Sequence, residues 1–125
     1  MITPAGKYLR KKRIDLNMTL SSMATQLGVS SSYLSAVEHG KKGLTLELIR
    51  EIIVQLRLPA EESKSFIRLA TISQPSITIS LENQDDCIRE ICAEFAERFR
   101  YLSVENIAKI RELLTTIKAP ASELP

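Results

Sequence analysis

Ser30-Ser31-Ser32-Tyr33 places four hydroxyls in succession, with His39, Lys41 and Lys42 close behind and Arg10-Lys11-Lys12-Arg13 well ahead. A serine hydroxyl is short and both donates and accepts, so such a run suits close contact with a surface presenting mixed donors and acceptors. Lysine and arginine clusters on either side suit neutralisation of a polyanion. Catalysis has weaker support. With 1 histidine in the chain, no multi-histidine metal site can form, and a serine or cysteine triad would have to use His39. Beside Gly40, that residue fits a helix-end or phosphate contact. Cys87 and Cys92 lack zinc-knuckle spacing and read as reduced structural thiols, and no glycine-rich phosphate loop is present. Glu82, Asp85, Asp86 and Glu90 gather at a helix start, where acids complement the dipole. No catalytic residue, metal or cofactor is assigned, and an enzyme is not expected.

Charge is unevenly spread along the 125 residues. Residues 1 to 58 carry nine basic and four acidic side chains, a balance of +5, whereas the remainder carries eight and eleven, a balance of −3. Positive charge therefore sits with the serine run. The 44% hydrophobic content is that of a globular protein. The basic run is followed by Ile14-Asp15-Leu16-Asn17 rather than an apolar core, and no apolar run could span a bilayer; a cytoplasmic location is expected.

The elements that must hold these residues are helical. Five helices are expected in a domain over residues 1 to 73. The first takes Thr3 as cap and Pro4 in its first turn and runs to about Asp15. The second, capped by Thr19, carries Leu20, Met23, Ala24 and Leu27 and stops at Gly28. The third is capped by Ser30, buries Leu34 and Val37, and ends at Gly40. The fourth follows Thr45 with an apolar face of Leu46, Ile49, Ile52, Ile53 and Leu56, and the fifth starts near Pro59.

A second region, residues 74 to 125, reads differently. Ile77, Ile79 and Leu81 alternate with Thr78 and Ser80, which predicts a short strand at about 76 to 81. Two amphipathic helices follow, at about 83 to 101 and 104 to 118, expected to form a hairpin. Ile88, Ile91, Phe95 and Phe99 share a face of the first; Ile107, Ile110 and Leu114 share a face of the second. A lone strand and an open apolar face both need a partner. The same segment of a second copy supplies one, so this region is expected to form a homodimer.

Helix two, the turn Gly28-Val29-Ser30 and helix three have helix-turn-helix spacing. Together with Leu9, Arg13, Ala24, Ser35, Glu38, Gly40 and the apolar fourth helix, they make residues 6 to 58 resemble the DNA-binding domain of the phage-repressor (Cro/CI, XRE-like) family. The resemblance implies an all-α, five-helix repressor-like domain, here followed by the strand and hairpin, in a dimeric regulator, a repressor of transcription that binds double-stranded DNA. It places helix three in the major groove, with Ser31, Ser32, Tyr33 and Ala36 facing bases. Thr19, the Leu20 amide, His39, Lys41 and Lys42 would meet the backbone, and Arg13 would bridge to Glu38. Many members carry glutamine at the position of Leu20 and glutamine or another long polar residue at those of Ser31, Ser32 and Ala36, and short serines lack the bidentate selectivity of arginine for guanine or glutamine for adenine. The alternative is an antitoxin-type or partner-controlled regulator, whose hairpin binds a toxin, an antirepressor or another protein.

Overall fold

Side-chain caps set where the helices begin. In the computed structural model, which describes residues 1–118, α1 spans Pro4–Asp15, α2 Leu20–Leu27, α3 Ser31–Glu38, α4 Leu46–Gln55 and α5 Ala60–Ile72. Thr3, Thr19, Ser30 and Thr45 each accept a backbone N–H from the first turn of the helix they precede, satisfying a donor that the helix itself cannot. At Thr19 the arrangement is reciprocal, because the Ser22 side chain accepts from the Thr19 N–H. Pro59 opens α5 without a side-chain cap, and Glu61 and Glu62 lie in its first turn, where negative charge is stabilised.

These five helices enclose one core. Leu9, Met23, Leu34, Ile52 and Phe66 come from five different helices and are buried, and Ala5, Ala24 and Ala70 allow close approach between them. Helix α1 packs on α3 and α5, and α4 packs on α2 and α5. In α4 the buried residues are Leu48, Ile49 and Ile52, whereas Leu46, expected inside, stands exposed at the first position of the helix. Leu44 and Leu58, in the connections on either side, complete that part of the core.

The chain divides into units Met1–Thr78 and Ile79 onward. The first reaches past the expected limit at residue 73 because the Gln74 side chain remains bonded to Leu44, beyond the end of α5. No strand forms at residues 76–81, and none occurs among the described residues. The alternating pattern there has a physical reason to stay unpaired, since a strand needs a ladder and the described residues of one copy offer no other strand to pair with.

In the second unit, α6 spans Asp86–Arg98, a single 3-10 turn follows at Phe99–Tyr101, and α7 spans Val104–Thr115. The expected start near 83 moves to 86 because Asn83 adopts a left-handed conformation (φ 64°) and Asp85 accepts the Ile88 N–H as cap. The expected hairpin does not close: α7 does not pack along α6, and neither helix has a buried residue. Ile91 is 66% exposed, Phe95 50% and Leu114 59%, so the described residues of this unit form no core of their own. Its internal order comes from caps and from local contacts, such as the Ser103–Asn106 capping box and the Phe95–Phe99 ring stack at 6.4 Å. Residues 119–125 of the expected second domain lie outside the described residues.

Candidate nucleic-acid interface

The turn between α2 and α3 is built around Gly28, whose φ of 75° is costly for any residue with a Cβ. It lets the Val29 N–H return to the Ala24 carbonyl at 2.9 Å and releases the chain into α3. Ser30 is spent on capping, its Oγ accepting the Tyr33 N–H at 3.1 Å. Ser31 and Ser32 follow it and are exposed, while Leu34 and Val37 hold the opposite face of the helix in the core. Of the four residues expected to face bases, these two serines stand out in solvent. Ala36 is half-buried. Tyr33 packs partly against the core, and its hydroxyl lies 3.5 Å from the Gly43 carbonyl, to which it donates.

The far end of α3 is fixed by charge. Arg13 Nη2 donates to both Glu38 carboxylate oxygens, at 2.9 and 3.1 Å, and Glu38 is 1% exposed. Arg10 joins from one turn earlier at 3.4 Å. Two guanidinium groups on one buried carboxylate lock α1 to α3 and leave a net positive charge beside the end of α3. The backbone adds to the lock, because Thr3 N–H donates to the Glu38 carbonyl at 3.1 Å. Gly6 makes it possible: a Cβ there would lie 2.1 Å from that same carbonyl oxygen.

Much of the upstream basic run is thus engaged within the fold. Lys12 pairs with Glu62 at 2.7 Å, and Tyr8 donates its hydroxyl to the same Glu62 oxygen at 2.6 Å. Lys12, then Tyr8, hold the Glu62 carboxyl below its ordinary range. Burial, then the bond to Glu62, raises the Tyr8 phenol above its own. Lys11, Lys41 and Lys42 are exposed. His39 is half-buried, with Nδ1 2.9 Å from the Ser35 carbonyl oxygen. A carbonyl only accepts, so Nδ1 carries the hydrogen and Nε2 is the nitrogen left for other contacts; it donates only in the imidazolium.

At the start of α2, Thr19 is exposed with its hydroxyl engaged to Ser22, and Leu20 packs partly into the core. The first-turn amides of a helix carry partial positive charge and suit a phosphate. Ile77, Ile79, Ile88, Ile91, Phe95, Phe99, Ile107 and Leu114, expected at a dimer contact, are exposed; Leu81 and Ile110 are partly covered. Sequence reasoning missed Arg10, although its spacing of one turn from Arg13 offered a signal. It also missed Gly6, Ser73 and Gln74, whose contacts are tertiary and leave no local pattern. Among the described residues no group of acidic, histidine and cysteine side chains is placed to hold a metal ion, and no helix is long and apolar enough to cross a membrane.

A family model described as helix-turn-helix matches residues 9–63. Two relatives, both uncharacterized HTH-type transcriptional regulators of Mycobacterium tuberculosis (strains CDC 1551 / Oshkosh and ATCC 25618 / H37Rv), are each 28% identical over 104 residues, covering 74% of this chain and 72% of their own length. No solved structure matches the chain. The turn at Gly28, the exposed start of α3 and these likenesses agree: residues 9–63 form a helix-turn-helix DNA-binding domain of the phage-repressor (XRE) type.

Proposed function

We propose that the chain is a dimeric, sequence-specific repressor that reads operator half-sites with α3 in the major groove. The observation that carries this reading is the pair Ser31 and Ser32, exposed at the N-terminal end of a helix whose other end is held by the buried Glu38. Lys41 and Lys42 then meet phosphates on one side of the groove, and Thr19, the Leu20 amide and His39 do so around it. Serine hydroxyls adapt to several bases, so much of the specificity comes from close approach, bridging water, DNA shape and the fixed spacing of two half-sites. The exposed apolar faces of α6 and α7, with Ile77 and Ile79 before them, supply the twofold contact.

Binding of the full chain to DNA from upstream of its own gene, measured across salt concentrations, tests the reading. A steep fall of log affinity with log salt is expected, and a slope near zero sinks it. Single-base changes within a half-site should each cost less than the ~1–3 kcal/mol that a good bidentate contact supplies. The same apolar faces also fit a heterologous protein, as in an antitoxin-type regulator. Sizing the purified chain separates the two: a dimer supports self-association, and a monomer that binds its operator only with a second protein supports the alternative.

A further inference from the structure

The loop joining α3 to α4 carries Lys41 and Lys42, and its two ends are secured differently. At the near end the Lys41 and Lys42 N–H groups both donate to the Ala36 carbonyl, at 2.9 and 3.3 Å. At the far end no backbone ladder is within reach, and the side chain of Gln74 takes its place. Gln74 Oε1 accepts the Leu44 N–H at 3.0 Å and Gln74 Nε2 donates to the Leu44 carbonyl at 3.0 Å. A primary amide holds an acceptor and a donor in one plane, so it pairs with both backbone groups of one residue as a neighbouring peptide would. Gly43 admits it: a Cβ at that position would lie 2.5 Å from Gln74 Oε1. The clamp also has a firm base, because the preceding residue, Ser73, is buried and its Oγ accepts the Ala5 N–H at 2.9 Å while donating to the Leu69 carbonyl at 2.6 Å.

We infer that Gln74 is a positioning residue for DNA binding: its amide fixes Leu44 and so holds the Lys41-Lys42 loop in register with α3. This rests on the phosphate role given to those lysines under the proposed function. Gln74 reaches the nucleic acid only through them. Without the Gln74 amide the far end keeps only the long Tyr33–Gly43 bond and the buried Leu44 side chain, so the lysines sample a wider range of placements and the ordering cost of docking falls on the binding step.

A double-mutant cycle on the full-length chain tests the inference. Gln74→Ala is expected to weaken operator affinity by about tenfold, the scale of two lost neutral hydrogen bonds, and to speed hydrogen exchange at the Leu44 amide. In a Lys41→Ala/Lys42→Ala background the same change should cost less than about twofold. Gly43→Ala breaks the clamp from the other side and should reproduce the loss, which keeps the test open if Gln74→Ala fails to fold. Faster exchange at Leu44 with unchanged affinity overturns the inference, as does an equal loss in both backgrounds. A lysine pair whose removal leaves affinity intact overturns the phosphate role itself, and the inference with it.

Discussion

Glu38 carries more of the interface than its size suggests. It is a carboxylate with almost no solvent access, held by Arg13 from within and by Arg10 from a half-exposed position. Removing one partner of such a pair strands a charge in a poorly solvated place, where breaking a buried pair costs about 3–5 kcal/mol. Glu38→Gln should accordingly lower stability by about 3 kcal/mol in denaturant titrations, whereas Arg10→Ala should cost under about 1 kcal/mol because its charge is solvent-screened. DNA affinity should fall with Glu38→Gln even where the protein remains folded, since the end of α3 then loses its tie to α1. An equal cost for the two substitutions would show that Arg13 alone does not satisfy the carboxylate. The residues of this bridge were legible in the sequence through the family resemblance. Arg10 and Gln74 were not, because what each touches depends on how helices far apart in the chain come to lie together.

Two glycines separate turn chemistry from close packing at the scale of elements. Gly28 needs its backbone conformation, but a Cβ there would meet nothing within 4 Å. Gly6 is in ordinary helical conformation and has no room, since its added carbon would fall on the Glu38 carbonyl. Gly28→Ala should therefore cost about 1 kcal/mol, the penalty of a left-handed residue with a side chain. Gly6→Ala should cost about 2–3 kcal/mol by forcing α1 from α3. Thermal midpoints in the reverse order would contradict the packing described. The contact between α1 and α5 adds a pH dependence. Glu62 titrates below its ordinary value when folded, so the stability it contributes is complete above the normal carboxylate range and is lost as pH falls through the lowered value. Glu62→Gln should flatten that acid limb. Tyr8 titrates above its ordinary value, so its share persists until pH rises past the normal phenol range. Caps and helical periodicity made α1 to α5 readable in advance. The strand was misread because alternation reports a half-buried pattern without saying what, if anything, lies beside it.

Across the described residues, the first unit has a core and the second does not. The second nevertheless holds most of the exposed large apolar side chains, including Ile91, Phe95, Ile107 and Leu114. Burying such side chains is worth about 1.5–3 kcal/mol each, so the proposed twofold contact would need only a few of them. Phe95→Asp and Ile107→Asp each place a charge in that contact while leaving the first unit's core untouched. Under the dimeric reading, either variant should elute as a monomer and keep the thermal transition of the first unit. Each should also bind operator with about half the native salt slope, because one domain neutralises half as many phosphates. Loss of affinity with an unchanged slope would mean that the native complex already uses one domain per site, and the apolar faces of α6 and α7 would then be left for a different protein.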